Sequence, residues 1–182
     1  MEIVGISGSL REGSFNTALL RAATELAEAP VRISVRRLVG IPVYDGDVEA
    51  ADGIPAPVAE LKDAIAAADG VIVATPEYNH SIPGPLKNAI DWCSRPPGDI
   101  ARVFGDKPVA ICGATPGPGG TALSQAAWLP VLRRLGTRLW SGGQLQIPAA
   151  HTVFSDGGAL EDAKLRERVA RFVAGFAAFC AR

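Results

Sequence analysis

Gly70-Val71-Ile72-Val73-Ala74 runs straight into Thr75-Pro76-Glu77-Tyr78-Asn79-His80, and then into the helical-looking Pro85-Leu86-Lys87-Asn88-Ala89-Ile90-Asp91-Trp92. A short, unbroken apolar run bounded by a turn reads as a strand buried on both faces, which is the mark of a parallel sheet. The loop leaving the carboxyl end of such a strand is where open α/β sheets take ligands. Here that loop carries backbone donors beside the ring of Tyr78, a combination suited to a flat ligand with heteroatoms on its edge. An exposed Glu-Tyr-Asn is equally the composition of an ordinary turn, so the pentad Pro76 to His80 does not settle its own role.

The pattern around this stretch repeats it. Glu2 to Ser7 reads as a first buried strand, Asn16 to Glu28 as a helix with Leu19, Leu20, Ala23, Leu26 and Ala27 on one side, and Val31 to Leu38 as an alternating edge strand. Val39 to Pro57, with its prolines and glycines, is expected to be a long surface loop. Val58 to Asp69 is expected as a helix, Val71 to Thr75 as the central strand, and Pro85 to about Ser94 as a helix that takes Pro85 in its first turn. Pro108 to Cys112 is a fourth strand, Gly113 to Gly120 a turn, and Thr121 to Leu135 a helix expected to kink at Pro130. Thr137 to Ile147 holds a fifth strand, broken at Gly142-Gly143. His151 to Gly158 is a loop, and a last helix carries Leu165, Val169, Phe172, Val173, Phe176 and Phe179 on one face. Five strands alternating with five helices make an α/β three-layer sandwich in one domain spanning 1–182.

Composition narrows the function. The 182 residues are 48% apolar with a formal net charge of −1, enough for one full core and without the basic run that nucleic acid requires. No apolar stretch approaches the roughly 18 residues that span a bilayer. The chain opens on a strand with no basic leader, so a cytoplasmic protein is expected. Cys93, Cys112 and Cys180 are odd in number and widely spaced, and they read as reduced thiols. Two isolated histidines, His80 and His151, with no acidic or cysteine cluster, give no metal site.

Two further loops fall at carboxyl ends of expected strands. Ser7-Gly8-Ser9-Leu10-Arg11-Glu12-Gly13-Ser14-Phe15-Asn16-Thr17 places hydroxyls, an amide and a guanidinium just before a helix, whose unpaired N–H groups and partial positive charge favour phosphate. The plain alternative is that Ser14 or Asn16 only caps that helix. The loop is neither a Walker loop nor a Rossmann fingerprint, and it misses the nucleophile-elbow pattern at Ser9. The other loop, Gly113-Ala114-Thr115-Pro116-Gly117-Pro118-Gly119-Gly120, lets backbone approach a ligand closely or is simply structural. One phosphate cradle and two backbone-rich slots at one sheet edge fit a phosphorylated planar ligand such as a flavin nucleotide.

Gly8-Ser9-Leu10-Arg11-x-Gly13-Ser14-x-Asn16, with Thr75-Pro76-Glu77-Tyr78-Asn79 and Pro83-Gly84-x-Leu86-Lys87-Asn88-Ala89-Ile90-Asp91-Trp92, closely resembles the NADPH-dependent FMN reductase family, the flavodoxin-like group that includes bacterial quinone, chromate and azo-dye reductases. The resemblance implies a five-stranded parallel sheet of order 2-1-3-4-5. It implies bound FMN, with NADPH or NADH as co-substrate and a quinone, azo dye, metal oxyanion or free flavin as acceptor in alternating half-reactions. Ser9, Leu10, Arg11, Ser14, Phe15 and Asn16 would hold the phosphate and ribityl chain. Pro76, Glu77, Tyr78 and Asn79 would line the ring, and Ala114 and Thr115 would approach it from the next strand. Similar proteins often carry serines after the fourth strand; here Ala114 has no hydroxyl, so Thr115 or backbone amides take that part. No catalytic side chain is required, because the chemistry belongs to the cofactor.

The resemblance also implies a homodimer whose partner walls the site, or a tetramer. Leu86, Ile90, Trp92, Trp128 and Leu129 supply more large apolar surface than one core face needs. A 2′-phosphate would call for Arg11, Arg95 or Arg102. Two other classes stay open at this point: an FMN-binding electron shuttle that does not oxidise NAD(P)H, disfavoured by the near-neutral charge, and a flavin-free regulatory domain. A hydrolase built on Ser7 or Thr115 is a weak third.

Overall fold

A computed structural model describes all residues from Met1 to Arg182. The strands are β1 (Glu2–Ser7), β2 (Arg32–Arg36), β3 (Gly70–Ala74), β4 (Pro108–Ala114), β5 (Arg138–Leu139) and β6 (Leu145–Ile147). The helices are α1 (Phe15–Leu26), α2 (Gly46–Asp52), α3 (Ala56–Ala67), α4 (Gly84–Cys93), α5 (Ile100–Phe104), α6 (Ala122–Arg134) and α7 (Ala163–Cys180). All strand pairs are parallel, in the order β2-β1-β3-β4-β5, and β6 pairs with β4 further along. This is the flavodoxin-like order expected from the sequence.

Alternate residues of each central strand feed opposite faces, because successive side chains point to opposite sides of a sheet. Ile3, Ile72, Ala110 and Cys112 join α1 and α7 in one core of 22 buried residues. Val4, Ile6, Val71, Val73, Val109 and Ile111 join α3, α4, α5 and α6 in a second core of 21. Each fully buried Val, Ile or Leu contributes about 1.5–3 kcal/mol by leaving water. Leu86, Ile90, Trp92 and Trp128 belong to the second core, so the chain itself covers the apolar surplus noted in the sequence, except for Leu129. No helix is long and apolar enough to cross a membrane.

The structure has more elements than expected. The fifth strand is split into β5 and β6. At the break the Trp140 ring lies against Phe172 (centroids 5.0 Å apart), and a Cβ on Gly142 or Gly143 would come within 2.5 or 2.8 Å of that indole. Beyond the break, β6 extends β4 through Gly113 and Ala114, two residues expected in the turn. Helix α2 lies in the stretch expected to be a surface loop, and α5 in a stretch to which the sequence assigned no element. α2 buries no side chain. It is capped by Asp45, which accepts from the Asp47 N–H at 2.8 Å, and held by Glu49, which takes hydrogen bonds from Arg95 Nε (2.7 Å) and the Tyr44 hydroxyl (2.9 Å). A helix held by charge has no apolar stripe to read. α6 continues through Pro130 to Arg134, because Pro130 and Ala126, whose carbonyl loses its bond there, are both exposed to water.

A second charged cluster holds the turn after α4. Lys62, 4% exposed, bonds the Arg95 carbonyl and pairs with Asp99 at 2.8 Å, while Arg102 donates to both Asp99 oxygens. These partners, Arg102 first and then Lys62, hold the Asp99 carboxyl far below the usual range; the Arg95 hydrogen bond, partly opposed by burial, lowers that of Glu49. A depressed folded pKa gives stability that is present above the unfolded value and lost as pH falls through the folded one. The melting temperature is therefore expected to drop as pH is taken below about 4, and Glu49→Gln should shallow that drop in thermal melts at stepped pH.

Candidate functional site

Three loops meet at the carboxyl edge of the sheet, following β1, β3 and β4. They bound a cleft of about 190 Å³ whose walls include Ser9, Arg11, Ser14, Phe15, Asn16, Pro76, Glu77, Tyr78, Ala114 and Thr115. Ten of the twelve residues expected at the site are thus brought together, and Pro116 joins them. Leu10 and Asn79 do not line the cleft; Leu10 is exposed, with its carbonyl held by Arg37 at 2.9 Å.

The first loop is pressed onto the second. Gly8 donates its N–H to the Ala74 carbonyl at 2.9 Å, and a Cβ there would lie 2.7 Å from Leu86 and 2.8 Å from Pro76. Ser14 caps α1 by accepting from the Thr17 N–H at 3.3 Å. That satisfies the capping alternative without consuming the anion site, because the main-chain N–H groups of Ser9, Leu10, Ser14, Phe15 and Asn16 find no acceptor in the chain. Of these residues Ser9, Ser14, Phe15 and Asn16 line the cleft, beside the exposed Arg11 and the positive end of α1. Thr17 plays no part there: it is buried and bonded to Ser7 at 2.7 Å, which also leaves Ser7 without access to a substrate.

Asn16 has a role that sequence reasoning did not assign. Its Nδ2 donates to the Ala114 carbonyl at 2.9 Å and its Oδ1 accepts from the Ala114 N–H at 3.0 Å. The side chain, expected on a phosphate, binds the end of β4 to the start of α1 instead. No local signal marks this, since the partners lie 98 residues apart.

In the second loop Tyr78 and Ser81 exchange both backbone hydrogen bonds, at 3.2 and 3.0 Å. Asn79 (φ 51°) and His80 (φ 61°) are both left-handed, the geometry of a tight type I′ turn, in which Asn is at home. The Tyr78 N–H is therefore consumed within the turn, while those of Glu77 and Asn79 are not. Glu77 turns away from solvent to accept from the Leu123 and Ser124 N–H groups at 3.0 and 3.1 Å. At the loop's base, Thr75 Oγ1 meets Ser124 Oγ at 2.8 Å and accepts from Trp128 Nε1 at 3.1 Å. In the third loop the Thr115 N–H is taken by the Ile147 carbonyl, and its hydroxyl accepts from the Gly117 N–H at 3.3 Å. Gly113 must be glycine, because a Cβ would overlap Thr121 Oγ1 and the Thr75 carbonyl.

Of the three candidate arginines only Arg11 is at the cleft. Arg95 is bound to Glu49, and Arg102 to Asp99 and Asp63. His151 lies on a separate hollow with Glu12, Arg21 and Asp156.

The chain matches the family described as NADPH-dependent FMN reductase over residues 1–152. It is 42% identical over 169 residues to an NAD(P)H-dependent FMN reductase of Pseudomonas aeruginosa, covering 93% of this chain and 89% of that protein. It is 35% identical over 179 residues to a 2-hydroxy-1,4-benzoquinone reductase of a Burkholderia species, covering 98% and 96%. Among solved structures, a flavoenzyme NAD(P)H:(acceptor) oxidoreductase from Paracoccus denitrificans superposes with a TM-score of 0.87 at 34% identity, over 99% of this chain and 97% of that one.

Asn16→Ala strips the Ala114 N–H and C=O of a partner in a dry site, at about 1–3 kcal/mol for each unsatisfied group. A lowered urea midpoint is expected. Asn16→Asp, which keeps the acceptor but sets a carboxylate against the Ala114 carbonyl, should be no better than alanine; wild-type stability in Asn16→Asp would contradict the reciprocal pair.

Proposed function

The chain belongs to the NADPH-dependent FMN reductase family, and on that footing we propose that it passes hydride from NAD(P)H by way of FMN to small quinone-like acceptors, in two half-reactions that alternate at one site. It is an oxidoreductase of the flavin-dependent kind. The reading is carried by the unpaired main-chain N–H groups of Ser9, Ser14, Phe15 and Asn16, residues that line the cleft beside Arg11.

The residues fit FMN. An anionic phosphate answers the open donors of the first loop and the positive end of α1. In this reading the amides of Ser9, Leu10, Ser14, Phe15 and Asn16, the Ser9 and Ser14 hydroxyls and the Arg11 guanidinium hold phosphate and ribityl groups. Pro76, Tyr78 and the free Glu77 amide face the ring. The third loop contributes through the surfaces of Ala114 and Thr115 and not through the Thr115 N–H, which is already engaged. When bound, FMN supplies the hydride acceptor and donor that no amino-acid side chain provides. The chain's part is to bind, orient and keep the rim rigid, and no side chain is assigned a proton transfer. Of the three candidate arginines Arg11 alone lies at the cleft, so a choice between NADPH and NADH would rest on it.

We further propose self-association as a homodimer or homotetramer. Leu123 (51% exposed) and Leu129 (46%) are large apolar side chains exposed on α6, and a groove of about 430 Å³ lies between α4 and α6. A cytoplasmic setting accords with three free thiols, of which burial pushes Cys93 and Cys112 up to about 12.

The purified chain is expected to carry or take up one FMN, and anaerobic NADPH should bleach its visible band in stopped flow. FMN uptake without bleaching would identify an electron shuttle, and a colourless protein that FMN cannot reconstitute would refute the reading. Arg11→Ala should weaken FMN binding about tenfold in a fluorescence-quenching titration, the scale of losing one charge-assisted contact. Light scattering at micromolar protein should give at least a dimer; a monomer alone would refute the proposed assembly.

A further inference from the structure

We infer that Glu77 is a positioning residue that latches the second loop to the amino end of α6 and so sets the width of the slot between the second and third loops. The inference rests on the FMN reading above for what the slot holds, but not for the latch itself.

α6 begins without the means to cap itself. Its N-cap residue, Thr121, is left-handed (φ 67°), makes no side-chain cap bond, and spends its buried Oγ1 on accepting from Gln125. No acidic residue lies in the first turn. A helix amino end leaves its first N–H groups unpaired, and a carboxylate there gains both hydrogen bonds and a favourable interaction with the helix dipole. Glu77 supplies that carboxylate from 46 residues away: one oxygen, Oε2, accepts from both Leu123 and Ser124. The side chain is only 13% exposed. Its other oxygen, Oε1, sits 3.4 Å from His80 Nδ1, and a Cβ on Gly119 would lie 3.7 Å from it. His80 is 81% exposed, so that pair adds little. Glu77 is thus engaged inside the protein through Oε2, while Oε1 faces the exposed His80.

The latch matters because the loop it holds is under strain and the wall it holds against is stiff. Asn79 and His80 are consecutive left-handed residues, a conformation that costs free energy and needs support from the surroundings. Across the cleft the third loop carries Pro116 and Pro118 and joins α6 directly. Ser124 is gripped twice, its N–H by Glu77 and its hydroxyl by Thr75, so loop tip and strand end are tied to one residue of α6. Releasing Glu77 leaves Thr75 as the remaining tie, and the segment from Pro76 to Ser81 free to swing.

The test compares Glu77→Ala with Glu77→Gln in the full chain. A glutamine oxygen can occupy the place of Oε2 and accept both N–H groups, so only alanine opens the latch. In the flavin-free protein, amide hydrogen exchange followed by mass spectrometry should speed up about tenfold in peptides covering 76–82 and 121–125 for Glu77→Ala, and stay within about threefold of wild type for Glu77→Gln. Far-UV circular dichroism should be unchanged in both. FMN binding by Glu77→Ala should weaken about tenfold with an altered visible circular dichroism band, and Glu77→Gln should restore both. Unchanged exchange in Glu77→Ala overturns the latch. Faster exchange with wild-type FMN affinity and dichroism overturns the positioning role. A glutamine variant as impaired as alanine overturns the assignment to hydrogen bonding, since charge would then be the active property. Failure of the wild-type chain to bind FMN refutes the FMN reading and the positioning role with it, while the exchange arm still decides the latch.

Discussion

The reciprocal pair between the Asn16 side chain and the Ala114 backbone is the constraint on which the cleft depends. A parallel sheet delivers each strand end to the same edge but says nothing about how far apart the loops stand. Asn16 makes the first turn of α1 and the last residue of β4 a single buried unit. The Gly8 to Ala74 bond then draws the first loop onto β3, and the Thr75 N–H bonds the Cys112 carbonyl to join β3 with β4. With α6 tied in through Thr75, Ser124 and Glu77, every wall of the cleft is referred to every other by hydrogen bonds that span from 37 to 98 residues. Binding of a rigid planar ligand loses least when the walls are already in place, since ordering them costs free energy.

The same bonds decide where an anion can go. Three helix amino ends reach this edge, and each carries partial positive charge. At α4 Pro85 brings no N–H and Leu86 and Lys87 turn theirs onto the Pro83 carbonyl, which leaves that of Gly84 alone. At α6 the Ala122 N–H is taken by Gly119 and the next two by Glu77. At α1 the Ser14 hydroxyl takes only Thr17, and the donors before it stay open. The largest set of open donors at this edge therefore lies at α1, where the proposed reading sets the charged group of a ligand.

What could be read from the sequence follows from the range of the interaction. Ile3-Val4-x-Ile6 and Gly70-Val71-Ile72-Val73-Ala74 announce buried strands because local pattern and final environment agree, and the sheet order followed from family resemblance. Most of the residues around the cleft were legible because the loops that carry them adjoin those strands. The roles of Asn16, Glu77 and Thr75 were not, because each partner is distant in sequence and polar. An Asn in a helix's first turn looks like a capping or phosphate residue, and a Glu in an exposed-looking pentad looks like a turn residue. α2 was missed for a related reason: it is held by Asp45 and by the Glu49 to Arg95 pair, and neither has a hydrophobic period. The extension of β4 to Ala114 was missed because it depends on β6, a strand of three residues.

The hydroxyls at this edge are the structural consequence of building a cleft from strand ends. Ser7 and Thr75, at strand ends, and Thr17 and Ser124, in the first turns of α1 and α6, are all buried. An apolar residue would bury well there, but the chain turns at these points and its polar groups must still be met. Thr75 makes the case: its hydroxyl sits within hydrogen-bond reach of the Pro76 carbonyl, the Ser124 hydroxyl and the Trp128 indole N–H. Valine, of nearly the same shape, would leave the indole N–H buried without a partner and Ser124 without its tie to β3. That penalty, about 1–3 kcal/mol for each stranded group, exceeds the gain from one added methyl of about 0.8 kcal/mol. Every buried side-chain nitrogen and oxygen in the chain has a partner. The polar edge is thus stable only as a complete set, so the loops cannot be loosened one at a time without disturbing the slot they share.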